Sequence, residues 1–291
     1  MNIKDYGLKE NIIKNNNVNN IARIIATHKD RYEIVCNNGQ GFARIKRGCY
    51  YDNPNSIYPT TGDFVLIEWN DTGDSMIIET LKRESSFSRT ASSSDRNHEI
   101  HNQHEQLVAS NFDYVFIMQS LNDNFNLHRI ERYLSLAWES GGVPVILLTK
   151  SDLVDNAEDY INEVQNIAFG VDVYAISCKT KDGLDDIMKY FKEGKTIAFL
   201  GSSGVGKSTL VNTLYGEEIM TTSEIRENDS RGRHTTTSRC LIQLPNGAMV
   251  IDTPGMRELG MWNSDDGIDR TFQDVEQYIG LCKFSDCTHT N

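Results

Sequence analysis

Gly201-Ser202-Ser203-Gly204-Val205-Gly206-Lys207-Ser208 is the stretch on which the fold turns. An apolar, β-like run over residues 196–200 leads into it, and residues 207–214 carry apolar side chains at helical spacing. That context separates a phosphate-binding loop from an ordinary glycine-rich turn. Glycines let the backbone bend until successive N–H groups surround a phosphate chain. Lys207 would then bridge β- and γ-phosphates and Ser208 would ligate Mg²⁺. Ser202, Ser203, Gly204, Val205 and Thr209 complete the nucleotide-binding set.

Working toward the C-terminus, Asp252-Thr253-Pro254-Gly255 closes a short apolar strand at 249–251. A carboxylate at a strand end suits Mg²⁺, held through a water, and the Gly255 N–H can meet a γ-phosphate. Between the two motifs lies Arg231-Gly232-Arg233-His234-Thr235-Thr236-Thr237. One threonine of the run should meet Mg²⁺ and the γ-phosphate; sequence alone does not choose among the three, and Thr236 is the expected ligand. Met256 follows Gly255, where signalling GTPases carry a water-orienting glutamine, so hydrolysis needs another polar group. His234 is the catalytic candidate, able to align the attacking water or take its proton, against the plainer reading of a solvent-facing loop histidine.

Toward the N-terminus come the base-reading elements. In Thr149-Lys150-Ser151-Asp152 the two oxygens of Asp152 can accept from guanine N1–H and N2–H₂, a donor pair adenine lacks. Lys150 would lie along base and ribose. Thr149 stands where an asparagine is usual, which puts some affinity in question but not the base. Ser177-Cys178-Lys179 matches the element whose backbone N–H meets guanine O6, with Cys178 in a small, buried position rather than a reactive one. The order is therefore base readers first, phosphate loop next, γ-phosphate sensors last. An ordinary GTPase begins with the phosphate loop, so this domain reads as circularly permuted, a change that closely spaced surface termini make tolerable.

The chain has 291 residues, room for two domains and a satellite, with 38% hydrophobic and 24% charged residues, as in a globular protein. Neither an apolar leader nor a membrane-length apolar run is seen, and six cysteines without a secretory signal suggest a reducing, cytoplasmic setting with no membrane partner. The net charge of −12 argues against nucleic acid as a partner of the whole chain. Residues 1–85, however, hold 11 basic and 11 acidic groups, leaving 18 and 30 of the totals of 29 and 41 for the rest. Within 1–85, a lead-in at 11–20 with six asparagines reads as poorly ordered. Five short β-like runs follow (21–26, 32–36, 41–46, 63–69, 75–79), and they predict an OB-fold barrel. Arg44, Lys46 and Arg47 beside Tyr50 and Tyr51 are its RNA-contact candidates, though a charged solvent-facing strand reads the same way.

Residues 86–106 read as a polar linker or mobile loop whose His98, His101 and His104 are bystanders rather than metal ligands. From 107 to 264 strands and helices alternate, predicting an α/β domain with a mostly parallel sheet covered on both faces, including helices at 127–138, 159–168 and 182–192. Residues 265–291 begin with an amphipathic segment at 267–279 and end on Cys282, Cys287 and His289, whose spacing suits Zn²⁺.

The rotated motif order, Gly-Arg-His-Thr-Thr-Thr over 232–237, Asp-Thr-Pro-Gly-Met-Arg over 252–257 and the Cys-x4-Cys-x-His tail together resemble the RsgA (YjeQ/YloQ) family of bacterial small ribosomal subunit biogenesis GTPases. The resemblance covers nearly the whole chain. It implies an N-terminal OB-fold, a permuted GTPase domain and a C-terminal zinc-binding domain. It also implies binding to the 30S subunit and its 16S rRNA late in assembly, with GTP hydrolysis stimulated by that subunit and the cycle returning GDP. The family's zinc set continues to a further cysteine, so the three ligands here imply an incomplete site and a trimmed tail. A monomer is expected. The rival reading is a GTP-dependent switch outside the ribosome whose barrel binds a protein.

Overall fold

Three nearly unbroken apolar runs form the centre of the molecule, because a strand covered on both faces has no side that must face water. They are β8 (Tyr114–Ser120), β9 (Val143–Thr149) and β11 (Thr196–Gly201). The computed structural model describes residues 2–14, 16–51, 56–89, 106–122, 125–220 and 240–252. With β10 (Asp172–Ile176) and β13 (Met249–Asp252) the three runs build a parallel sheet, which β12 (Cys240–Gln243) extends antiparallel to β13. The spatial order is β10-β9-β8-β11-β13-β12.

Helices cover both faces. α3 (Leu127–Ser140) and α4 (Ala157–Ile167) bury Ile130, Tyr133, Leu134, Ala137 and Val164 on one side. α5 (Leu184–Ile187) and α6 (Lys207–Tyr215) bury Ile187, Leu210 and Val211 on the other. Asn126 and Asn156 start α3 and α4 by accepting from Arg129 N and Glu158 N, and Gly141 ends α3 at a left-handed φ of 83°.

The N-terminal barrel has the predicted five strands: β1 (Ile21–Thr27), β2 (Tyr32–Cys36), β3 (Gly39–Ile45), β4 (Phe64–Glu68) and β5 (Ser75–Thr80). Their order is β1-β2-β3-β5-β4, with β4 pairing back on β1 to close the barrel and the helical turn α2 (Arg47–Tyr51) between β3 and β4. This is an OB-type barrel, filled by Ala22, Ile24, Ile34, Cys36, Ala43, Val65, Ile67 and Ile77.

Three expectations need correction. The asparagine-rich lead-in is structured at its ends as α1 (Glu10–Ile13) and a 3₁₀ turn (Val18–Asn20), and Asn17 caps that turn by accepting from Asn19 N. Asparagine here serves as a cap rather than a sign of disorder. The ends of the supposed linker are strands: β6 (Ser86–Arg89) pairs antiparallel with β7 (Gln106–Ser110), and Phe87 stacks on Phe112 with ring centroids 4.7 Å apart. The histidines at 98, 101 and 104 lie outside the described residues. The helix expected over 182–192 is only α5 plus a 3₁₀ turn (Met188–Tyr190), since Tyr190 and Phe191 turn into the core and pack edge-on against Phe116.

The barrel and the α/β part share one sheet. β12 pairs with β1 at Cys240↔Ala26, so eleven strands run without a break. Arg23, 1% exposed, plugs the seam. Its guanidinium donates to the carbonyls of Tyr6 (2.5 Å), Gly62 (3.2 Å) and Asn111 (2.8 Å), and it lies over the Phe64 ring. Burial lowers the Arg23 pKa to about 10, which leaves it charged at neutral pH. Beside it the fully buried Asp63 is held by Arg83 (2.6 Å) and the Ser110 hydroxyl (2.6 Å).

Candidate nucleotide-binding site

The base-reading candidates and the phosphate loop converge at the carboxyl ends of β9, β10 and β11. β11 ends in Gly201, whose added Cβ would stand 2.7 Å from the Met118 carbonyl, so only glycine lets β11 run this close to β8. The loop turns through Gly204 (φ 70°) and Gly206 (φ 102°) into α6. Gly206 offers no side-chain cap, so the first N–H groups of α6 remain available to an anion at the end of the helix dipole. Lys207 Nζ donates to the carbonyls of Gly201 and Ser202, the latter at 2.8 Å, which holds its ammonium over the loop. Ser208 is partly exposed and Thr209 exposed on the first turn of α6; Ser202 is partly exposed, Ser203 exposed and Val205 buried. Glycine-rich turn, uncapped helix start and folded-over lysine fit a nucleotide's phosphates. Ser208 could hold the Mg²⁺ that accompanies GTP in GTPases.

Thr149 joins the base-reading end to this loop. Its hydroxyl, 4% exposed, donates 2.6 Å to the Val205 carbonyl and lies 3.5 Å from that of Gln119. The threonine that departs from the usual asparagine is therefore turned toward the phosphate loop, not toward the base. Lys150 follows in the left-handed region at φ 59°, a backbone state uncommon outside glycine and typical of functional turns.

Asp152 meets Ser177 across the site: Ser177 Oγ donates 2.7 Å to Asp152 Oδ1, and Lys179 Nζ stands 3.6 Å from Oδ2. The Ser177 hydroxyl holds the Asp152 carboxyl below its ordinary range, with Lys179 adding to the effect. Ser177 Oγ also accepts from the N–H groups of Lys179 and Thr180, both at 3.2 Å, which curls the Ser-Cys-Lys element over the aspartate. Cys178 packs into the core beside α6, and burial pushes its thiol pKa up, away from reactivity. Asp182 was missed in the sequence. Its carbonyl accepts from Ser177 N at 3.0 Å and its carboxylate from the Thr180 hydroxyl at 2.6 Å. The signal was present as Lys181-Asp182-Gly183, a turn with both flanking residues at φ 70°.

Asp252 ends β13 one strand from the loop, opposite Cys240 of β12. Gly255, His234, Thr236, Cys282, Cys287 and His289 lie outside the described residues.

The barrel candidates are distributed differently from the sequence reading. Arg44 is exposed and bonded to Asp74 (2.6 Å), Lys46 is bonded to Glu68 (2.5 Å), and Arg47 is exposed on α2. Tyr50 is no stacking platform: it is 3% exposed, with its hydroxyl 2.8 Å from that of Thr80, because α2 plugs the end of the barrel. The exposed aromatic on this face is instead Phe42 on β3, with the Arg31 guanidinium 3.7 Å above its ring and bonded to Asp74. Alternation along β3 (Phe42 and Arg44 out, Ala43 in) could have revealed it.

Residues 80–262 match the model of the RsgA GTPase family, more than half of the chain and all the motifs just described apart from the cysteine-rich tail. The chain belongs to the RsgA GTPase family. Small ribosomal subunit biogenesis GTPase RsgA 1 of Listeria innocua is 43% identical over 270 residues, 93% of this chain and 74% of that protein. RsgA 2 of Listeria monocytogenes is 40% identical over 293 residues, all of this chain and 81% of its own. The crystal structure of YjeQ from Thermotoga maritima superposes with a TM-score of 0.62 at 23% identity, covering 94% of this chain and 87% of its own. That of YloQ, a circularly permuted GTPase, gives 0.55 at 24%, covering 92% and 83%. These two structures share the fold, including the permutation. Membership in this family makes the chain a GTP-hydrolysing enzyme. Among the described residues no helix is long and apolar enough to cross a membrane.

Proposed function

We propose that this GTPase acts in the biogenesis of the small ribosomal subunit, binding that subunit and its 16S rRNA and using GTP hydrolysis to time its release. The observation that carries the guanine reading is the Ser177–Asp152 bond. It presents an ionised, aimed carboxylate beside the phosphate loop, the feature a guanine site requires and an adenine site does not. The ribosomal part rests on the relatives' names and on the barrel, where the exposed Phe42 on β3 lies beside Arg31, which covers one face of its ring, and near Arg44 and Lys46, each of these cations held by a carboxylate (Asp74 or Glu68).

In this reading Asp152 takes the guanine edge, Lys150 flanks the base, and the Ser177-Cys178-Lys179 backbone meets O6. The phosphates lie in the loop from Gly201 to Thr209 under Lys207, with Gly255 meeting the γ-phosphate. Ser208, Thr236 and Asp252 would hold Mg²⁺, which neutralises charge on the β- and γ-phosphate oxygens when bound. His234 orients the attacking water. Cys282, Cys287 and His289 form part of a zinc site. The protein works as a cytoplasmic monomer.

GTP turnover measured alone, with purified small subunits and with large subunits tests the proposal. Slow turnover that only small subunits accelerate is the expected result; equal rates in all three would overturn the ribosomal role.

A further inference from the structure

Residues 177–183, between β10 and α5, belong to no helix or strand, yet two of them stand in the left-handed region, Lys181 and Gly183, both at φ 70°. Glycine tolerates that conformation; a lysine holds it only where neighbouring contacts impose it. Asp182 supplies them. Its carbonyl accepts from Ser177 N at 3.0 Å, which ties the end of the turn to its start. Its Oδ2 accepts from the Thr180 hydroxyl at 2.6 Å, which closes the turn across Lys181, and Asp182 N lies 3.5 Å from the same hydroxyl.

The bonds continue to the base-reading carboxylate. A hydroxyl has one proton to donate and two lone pairs with which to accept. At Ser177 both acceptor positions are taken, by Lys179 N and Thr180 N at 3.2 Å each, so the proton is left to Asp152 Oδ1 at 2.7 Å. Thr180 enters this chain of bonds twice: Asp182 fixes its hydroxyl, and its N–H helps to fix Ser177. Thr180 and Asp182 are both exposed, so what they contribute is direction rather than buried surface.

We propose that Asp182 is a positioning residue for guanine: through the Thr180 and Ser177 hydroxyls it holds the Asp152 carboxylate in the orientation that accepts from N1–H and N2–H₂ together. This rests on the guanine reading above. Asp182 acts through the two hydroxyls and not by contact with the base. A carboxylate free to swing keeps one bond to the base more readily than two, so the paired match is what Asp182 protects. Inosine triphosphate isolates that match, because hypoxanthine keeps N1–H and lacks the N2 amino group.

The test is equilibrium titration of the whole chain with GTP, GDP and inosine triphosphate. Asp182→Ala should weaken GTP and GDP alike by about three- to tenfold, the worth of one hydrogen bond. Inosine triphosphate should lose less, so that the preference for GTP over it shrinks. Thr180→Val should do the same, and Thr180→Ser should restore the parent's values, since serine keeps the hydroxyl. This pair decides the matter even where Asp182→Ala proves less stable. In Ser177→Ala the relay has lost its last member, so adding Asp182→Ala should cost no further affinity. Equal weakening of all three nucleotides, unchanged affinities, a Thr180→Ser variant as weak as Thr180→Val, or additive losses in the Ser177–Asp182 double variant would overturn the proposal. A parent chain that binds ATP as tightly as GTP would overturn the guanine reading itself.

Discussion

In the proposed function Asp152 is the residue that would discriminate guanine, and its neighbours decide how well it could do so. Ser177 donates to one oxygen and Lys179 approaches the other, so the carboxyl stays ionised to lower pH than a free aspartate, whose ordinary pKa is about 3.9. Asp152→Asn would turn an acceptor into a donor facing the guanine N–H groups, a loss of about 3 kcal/mol. GTP binding should collapse and xanthosine triphosphate binding should appear, since xanthine offers a carbonyl there. Equilibrium titration of both nucleotides would check it, and unchanged GTP affinity would remove Asp152 from the role. The pH dependence has a definite sign. A depressed carboxylate pKa gives stabilisation fully present above the unfolded value and lost as pH falls through the lower folded one. GTP affinity should therefore persist below the ordinary aspartate range in the parent, and its acidic limb should move to higher pH in Ser177→Ala. Thr149 has a different task. Thr149→Val removes the buried bond to the Val205 carbonyl at about 1–2 kcal/mol. GTP and GDP should weaken together, with the preference for guanine intact.

The turns decide how well the elements present these residues. Gly183 sits at φ 70° with its hypothetical Cβ 2.2 Å from the Ala175 carbonyl, directly below the Ser-Cys-Lys element. Gly183→Ala must push that turn away from β10, at about 1–3 kcal/mol, and carry Ser177 off Asp152. Melting temperature and GTP affinity should both fall, whereas Gly170→Ala, strained at φ 76° but with nothing within 4 Å, should leave GTP affinity unchanged. The same distinction explains what the sequence made legible. Strands such as VPVILLT and TIAFLG announce themselves because burial on both faces demands unbroken apolar residues. The strand–turn–helix around residues 201–207 was legible because the glycine pattern lies between an apolar strand and a helix of apolar period. β12 was not, since Cys240–Gln243 is four residues of mixed character held mainly by its neighbours. Nor could spacing show that the Thr149 hydroxyl turns to Val205 or that Tyr50 turns inward. Both are tertiary choices made by packing between elements distant in sequence.

At the scale of the molecule, the continuous sheet gives the γ-phosphate end a route to the barrel. One row of paired residues runs from Asp252 to Cys240, Ala26, Glu33 and Phe42, from a Mg²⁺-ligand candidate to an exposed aromatic of the barrel. Arg23 ties β1 to the α/β part beside that row, through the Asn111 carbonyl and the Met249 sulfur. Arg23→Met removes the guanidinium from the carbonyls of Tyr6, Gly62 and Asn111, of which Gly62 keeps the Asn111 side-chain amide at 3.3 Å, and should cost on the order of 3 kcal/mol; Arg23→Lys should not restore it, because one ammonium cannot span the fan of acceptors. If the barrel holds rRNA and the row carries the nucleotide state, small subunits should bind more tightly with a non-hydrolysable GTP analogue than with GDP. A coupling of about 1–3 kcal/mol corresponds to a 5–150-fold ratio, and by linkage the subunit favours GTP by the same factor. The tail after Asp252 is the other route, because it follows the γ-phosphate motif in the chain. Measured at one salt concentration, the ratio should fall in a folded Arg23→Lys variant and survive deletion of residues 281–291. The reverse pattern, loss on deletion with the Arg23→Lys ratio intact, would move the coupling from the seam to the tail.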